Sequence, residues 1–162
     1  NVLKENFRTN GQYNDEDKAY VNFKRLELNA EIARIPSYGW FKGTWTSIAA
    51  TLQKIVYDGM GLYGTDPLRV LISMFVVYFG FTLGYYALEI SDMGDLINSV
   101  GVVNGPNDWQ KAMYHSAITF LTIGYGDFYP TGVCRGLSIA EGWAGLFMMA
   151  YFTVAFVRKI LR

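Results

Sequence analysis

Two long apolar stretches stand out in the pattern of hydrophobic and polar residues along the chain. Residues 70–88 contain no charged side chain, and residues 136–157 contain only Glu141. A helix of about 20 apolar residues is long enough to cross the roughly 30 Å hydrocarbon core of a bilayer. The pattern therefore predicts two membrane-spanning helices, an outer helix over residues 67–88 and an inner helix over residues 135–160.

Between these spans lies a shorter helical pattern, predicted over residues 108–121, which is too short and too polar to be a third span. Asn107 is a good N-cap, and Gln110 is placed to complete a capping box. The pattern runs directly into the glycine-rich residues 122–127. Non-helical backbone at membrane depth is tolerated only when it is buried in protein or lines a water-filled cavity. We therefore expect a re-entrant half-helix beside a pore.

Charged residues are distributed unequally around the two spans. Arg69 lies at the start of the outer helix, and Arg158, Lys159 and Arg162 cluster at the end of the inner helix. The segment between the spans is mainly acidic. Because basic residues concentrate on the cytoplasmic side of membrane proteins, we expect a multi-pass protein of the cell membrane with both termini in the cytoplasm.

The chain upstream of the first span shows weaker patterns. Residues 1–39 are predicted to form a cytoplasmic helical segment with helices over 2–10 and 15–34, a pair that is also compatible with one hairpin of a helical repeat. Residues 40–66 are predicted to form an interfacial amphipathic helix over 44–57 and a linker. We expect this helix to lie on the cytoplasmic membrane surface. Packing on a soluble domain outside this segment is the alternative.

Composition narrows the classes of function. Of the 162 residues, 51% are hydrophobic and 17% aromatic, which is high for a soluble domain. Formal net charge is zero, so no overall field favours nucleic acid as a partner. Cys134 and His115 are the single cysteine and histidine, so the chain offers neither an internal disulfide nor a Cys/His metal site. No nucleophile and base are arranged for catalysis, so we expect no enzyme activity.

Residues 122–127, Thr-Ile-Gly-Tyr-Gly-Asp, followed by Tyr129 and Pro130, resemble the pore signature of potassium channels. The resemblance covers residues 66–162. It implies an all-α membrane protein of the two-transmembrane-helix potassium channel family, with a re-entrant pore helix and a selectivity filter, preceded by the cytoplasmic amphipathic helix. It also implies a homotetramer in the lipid bilayer, with potassium ions as the bound species.

The filter sequence suits the chemistry of ion selection. A potassium ion sheds its hydration shell only where other oxygens replace water, as rings of main-chain carbonyls do. A backbone that aims successive carbonyls at one axis alternates into φ/ψ regions that favour glycine. The resemblance implies that Asp127 pairs with an aromatic residue of the pore helix, here Tyr114, and a solvated carboxylate at the pore mouth is the alternative. The expected potassium ligands are Thr122, Ile123, Gly124 and Tyr125, and the expected filter supports are Gly126, Asp127 and Tyr114.

Residues on the inner helix recur at spacings of three and four, so they share one helical face. We expect this face to line the pore, with Val157 and Leu161 forming its narrowest apolar constriction. The resemblance aligns Gly145 with a hinge glycine, and close helix packing is the alternative. The residues of the face are Leu146, Met149, Thr153, Val157 and Leu161.

Several roles stay open on sequence alone. His115 is interpreted as a packed pore-helix residue or as a pH sensor. Glu141, an ionisable group within a span, has a functional role, snorkels to the interface or bonds to the pore helix. A potassium-uptake transporter subunit is a rival function, although such proteins carry several non-identical pore repeats in one chain, and a membrane-anchored enzyme is another. Because the chain begins at Asn1 and ends at the edge of an apolar segment, we interpret it as an internal piece of a longer protein. The flanking sequence would have room for a regulatory domain.

Overall fold

The computed structural model describes residue 6 and residues 10–37, 39–99, 101 and 106–161. The helix predicted over residues 2–10 lies outside these residues apart from Asn6 and Asn10, and so does Arg162. The chain is mostly helical, as its sequence predicts. The α-helices with both ends in the described residues are α1 (Tyr13–Arg34), α2 (Trp40–Leu52), α3 (Pro67–Ile90), α4 (Asp108–Phe120) and α5 (Cys134–Ile160).

The two longest apolar helices, α3 and α5, are long and apolar enough to cross a membrane, with 24 and 27 residues. They match the two predicted spans. α3 continues to Ile90 rather than ending at residue 88, and α5 begins one residue early, at Cys134. The carboxylate of Asp66 accepts a hydrogen bond from the backbone N–H of Arg69 at 3.3 Å and so caps the start of α3.

The segment predicted as one amphipathic helix over residues 44–57 is divided. α2 already begins at Trp40 and ends at Leu52. A π-helical segment over Gln53–Gly59 and a short 3-10 turn over Leu62–Gly64 then lead to α3. The predicted helix is therefore displaced toward the N-terminus, and its last turn is not α-helical.

A small β-sheet corrects the prediction of an all-α protein. Strand β1 (Leu96–Asn98) pairs antiparallel with β2 (Phe128–Pro130), with Leu96 opposite Pro130 and Asn98 opposite Phe128. Beyond the ladder, the N–H of Ser99 donates to the carbonyl of Asp127 at 2.8 Å. The sheet is made by pairing between distant segments, which three-residue strands do not signal in local sequence.

Residues 71–151 form one compact unit. Its core is supplied by α3, β1, α4, β2 and α5, one residue from each. The core residues are Tyr85, Leu96, Ala112, Phe128 and Cys134. Since these elements share one core, α4 and the loop after it are held by packing as well as by chain connectivity.

Residues 1–70 and 152–162 belong to a second unit. Within it, the guanidinium of Arg25 on α1 binds the carboxylate of Asp58 through bonds of 2.8 to 3.0 Å. Asp17 accepts a hydrogen bond from Arg158 at 3.2 Å, and the guanidinium carbon of Arg158 lies 4.7 Å from the centre of the Tyr20 ring. These contacts join α1 to the π-helical segment and to the last turns of α5.

Candidate functional site

The first turn of α4 is fixed by side chains. The side chain of Asn107 accepts a hydrogen bond from the N–H of Gln110 at 2.9 Å, and the Gln110 side chain accepts one from the N–H of Asn107 at 3.2 Å. This is the predicted capping box. The ammonium of Lys111 contacts the carboxylates of Glu89 and Asp108 at 2.5 and 2.8 Å. The start of α4 is thus tied to the end of α3.

At its other end, α4 passes directly into residues 122–127. The carbonyl of Ile118 accepts hydrogen bonds from the N–H groups of Ile123, at 2.8 Å, and Gly124, at 3.2 Å. The N–H of Thr122 donates to the carbonyl of Thr119 at 3.0 Å. The first half of the loop is therefore positioned by the last turn of α4.

The backbone of this loop alternates in handedness. Thr122, Gly124 and Gly126 have positive φ angles of 56°, 58° and 76°, and the residues between them do not. Glycine reaches this region without a steric cost, whereas threonine does not. In the single chain the side chains of Ile123 and Tyr125 are 48% and 71% exposed. The loop is therefore held by its own backbone and by α4, while the side chains of Ile123 and Tyr125 are exposed.

Asp127 ends the loop beside α4, and Tyr114 is its partner there. The hydrogen bond from the Tyr114 hydroxyl to Asp127 raises the pKa of that hydroxyl. The hydroxyl of Ser99 is within hydrogen-bonding distance of the carbonyls of Gly126, at 3.1 Å, and Asp127, at 3.0 Å. Sequence reasoning named Tyr114 and Asp127 but missed Ser99, because nothing local to Ser99 indicates that it lies against this loop.

A second polar cluster lies in the interior of the same unit. Glu141 is completely buried, and its two carboxylate oxygens accept hydrogen bonds from the hydroxyls of Ser116, at 2.5 Å, and Tyr85, at 2.7 Å. The Ser138 hydroxyl bonds the Tyr85 hydroxyl at 2.9 Å and the Nε2 atom of His115 at 2.8 Å. Of the interpretations left open for Glu141, the structure therefore supports the hydrogen bond to α4.

His115 is part of that cluster and is nearly fully buried. Its ring meets the Tyr85 ring edge-on, with the ring centres 5.0 Å apart. Burial lowers the pKa of His115 because it disfavours the charged imidazolium, while the field of Asp127 opposes this. This packing agrees with the interpretation of His115 as a pore-helix packing residue.

The face of the inner helix that was assigned to the pore is exposed in the single chain. Its members Leu146, Met149, Thr153, Val157 and Leu161 are all exposed. Leu161 lies one residue beyond the end of α5 at Ile160, and its N–H donates to the carbonyl of Val157 at 3.0 Å, as in the last turn of a helix. The pore-lining role of this face stays a prediction.

Gly145 lies against the end of α4. A Cβ atom built on Gly145 would be 2.0 Å from the carbonyl oxygen of Phe120, far inside van der Waals contact. α5 runs through this position as a single α-helix from Cys134 to Ile160. The absence of a side chain at Gly145 is thus required by close packing, and the hinge role stays a prediction.

Comparisons with known proteins identify a family for this chain. A protein-family model described as "Ion channel" matches residues 71–162, more than half of the chain. Protein LctB of Bacillus caldotenax is 31% identical over 90 residues, which are 52% of this chain and 66% of the relative. The chain thus spans just under two thirds of that relative's length. No solved structure matches the chain.

Proposed function

Because this chain belongs to the two-transmembrane-helix ion channel family, we propose that it is a pore subunit that conducts potassium passively across a membrane through a filter formed by residues 122–127. It is a channel and not an enzyme. The proposed potassium ligands are the oxygens of Thr122, Ile123, Gly124 and Tyr125.

The observation that carries this proposal is the backbone of the loop. Positive φ at residues 122, 124 and 126 alternates with negative φ at the residues between. Such alternation turns successive carbonyls toward the same side of the chain, which an extended strand does not do. A column of carbonyl oxygens replaces the hydration shell of a potassium ion. The carboxylate of Asp127 and the hydroxyl of Tyr114 would hold the outer end of this column.

One chain supplies one strand of such a filter, so several copies are needed to surround an ion. We propose a homotetramer with the filter on its axis. The exposed flanks at Ile123 and Tyr125 support this, because the single chain leaves uncovered the side chains that would keep the filter open. α4 would act as a re-entrant pore helix whose C-terminal end, with its partial negative charge, favours a cation in the cavity below.

The proposed topology places both termini in the cytoplasm of a cell whose plasma membrane contains the channel. Arg158 and Lys159 in the last turn of α5 support this orientation. α2 would lie on the cytoplasmic membrane surface, since Trp40 is 86% exposed and Phe41 and Trp45 are exposed beside it. Aromatic rings of this kind favour the membrane interface.

Ion flux from liposomes tests the proposal directly. Purified protein should dissipate a potassium gradient and leave a sodium gradient of the same size largely intact. Gly124→Ala should abolish conduction or selectivity, because φ of 58° at Gly124 is unfavourable for alanine. Gly80→Ala is the matched control, since a Cβ there meets no atom within 4 Å. Equal potassium and sodium flux through the unmodified protein would refute the potassium assignment.

Mass measurement of the conducting protein in detergent tests the assembly separately. A species of four chains is expected. A monomer or dimer as the largest species, under conditions that preserve flux, would contradict the proposed tetramer.

A further inference from the structure

Three helices of the unit formed by residues 71–151 meet at one carboxyl group. Tyr85 on α3, Ser116 on α4 and Glu141 on α5 are all completely buried. The Glu141 carboxylate is bonded to the other two hydroxyls, one on each oxygen, at 2.5 Å to Ser116 and 2.7 Å to Tyr85. The Ser138 hydroxyl, also on α5, joins the same three helices through Tyr85 at 2.9 Å and His115 at 2.8 Å.

A buried carboxyl group is costly unless its oxygens find partners. Here the partners come from two other helices, so the cost is offset only while α3, α4 and α5 keep their present spacing and rotation. Hydrogen bonds also weaken steeply when their distance or angle changes. The Glu141 group therefore resists small displacements of α4, which apolar side chains in the same place would tolerate.

Ser116 connects this group to residues 122–127. It lies two residues before Ile118, whose carbonyl accepts the hydrogen bonds from the N–H groups of Ile123 and Gly124. A shift or rotation of α4 at Ser116 would move that carbonyl with it, because both belong to the same rigid helix. The position of the first loop residues thus depends on the bonds that hold Ser116.

We propose that Glu141 is a positioning residue for ion selection, which acts by fixing α4 through Ser116 and Tyr85 so that the Ile118 carbonyl holds the start of the filter. Glu141 does not touch the ion. The expected effect on ion selectivity rests on the proposed function, whereas the expected effect on the structure of the loop rests on hydrogen-bond geometry alone.

The test compares two substitutions of one residue. Glu141→Gln keeps the shape and offers one acceptor and one donor, which both hydroxyls can use. Glu141→Leu removes both hydrogen bonds, so the hydroxyls of Tyr85 and Ser116 lose their shared acceptor. Thr82→Ala is the control for loss of a buried hydroxyl, because Thr82 is equally buried and its hydroxyl bonds the carbonyl of Tyr78 in its own helix, at 3.0 Å. That carbonyl keeps the Ser116 hydroxyl, at 3.2 Å, as a second donor.

Two readouts are taken on the full-length protein. The first is hydrogen exchange of the Ile123 and Gly124 amides, which should be about tenfold faster in Glu141→Leu because the bonds to Ile118 open more often. The second is the ratio of potassium to sodium flux in liposomes, which should fall by a similar factor. Glu141→Gln and Thr82→Ala should stay within about twofold of the unmodified protein in both.

Each of the following outcomes supports or overturns the positioning role of Glu141. Unchanged exchange and selectivity in Glu141→Leu would overturn the proposal, and so would a Glu141→Gln protein as impaired as Glu141→Leu. If Glu141→Leu does not fold, Ser116→Ala removes the contacts of that hydroxyl with Glu141 and with the carbonyl of Tyr78, at 3.2 Å, while the bond between Glu141 and Tyr85 remains. It should still accelerate exchange at Ile123 and Gly124. If the unmodified protein shows no preference for potassium, the proposed function fails, while the exchange rates still support or overturn the positioning role.

Discussion

Replacing Gly145 by alanine separates the two roles considered for this glycine. A Cβ at Gly145 would lie 2.0 Å from the carbonyl oxygen, 2.8 Å from the carbonyl carbon and 3.1 Å from the Cα of Phe120. Ordinary contacts begin near 3.4 Å. The obstructing atoms belong to the backbone, so no side-chain rotation relieves the overlap. α5 must move away from the end of α4 by more than 1 Å at this point.

The expected energy follows from two opposing effects. Forcing an extra methyl into a well-packed contact costs about 1–3 kcal/mol, and the backbone obstruction places this case at the upper end. Alanine is better than glycine in a helix by about 1 kcal/mol. We therefore expect Gly145→Ala to lower the free energy of unfolding by about 2 kcal/mol.

Unfolding of the purified protein in detergent, followed by tryptophan fluorescence, measures this change. Gly136→Ala on the same helix is the control, because a Cβ there meets no atom within 4 Å. Gly136→Ala should leave stability unchanged or raise it by up to about 1 kcal/mol. If Gly145→Ala is as stable as the control and differs only in gating, the packing argument is refuted and the glycine is a hinge.

The remaining predictions concern the pore face of α5 and the ion pair between α1 and α5. A cysteine at Val157 should be modified by water-soluble thiol reagents, and the modification should block ion flux. A cysteine at Phe156 should not be modified in this way, although both positions are exposed in the single chain. The opposite pattern would mean that the pore face is assigned wrongly. Asp17→Ala should destabilise the unit containing α1 by about 1–3 kcal/mol and speed its proteolysis, because Arg158 loses a partner in a largely buried ion pair. Asp15→Ala, which breaks only an exposed pair, should change stability by less than about 1 kcal/mol.

The sequence predicts well those elements whose signals come from residues that are close together in the chain. The two spans follow from length and lack of charge, and α4 from its capping box, and their ends differ from prediction by one or two residues. The family assignment is also confirmed, because a family model described as "Ion channel" matches residues 71–162. The roles of individual filter residues stay predictions.

The features that the sequence could not predict depend on contacts between residues that are far apart in the chain. Glu141 bonds Tyr85 and Ser116, which are 56 and 25 residues away in sequence. The same holds for the small sheet, since its paired residues Asn98 and Phe128 are 30 residues apart in sequence. A buried glutamate in a span is a visible signal, but its partners become evident only when three helices are brought together.

Thr122 shows how the loop combines strain with chemistry. Its φ of 56° lies in the left-handed region, which costs a β-branched residue about 1 kcal/mol or more relative to glycine. The strain is held by the N–H bond to Thr119 at 3.0 Å and by the hydroxyl bond to the carbonyl of Leu121 at 2.7 Å. Glycine would relieve the strain at this position, as it does at Gly124 and Gly126, but it would remove the hydroxyl. The side-chain oxygen is therefore the feature that justifies a threonine here, and in the proposed channel it supplies the innermost ligand for the ion.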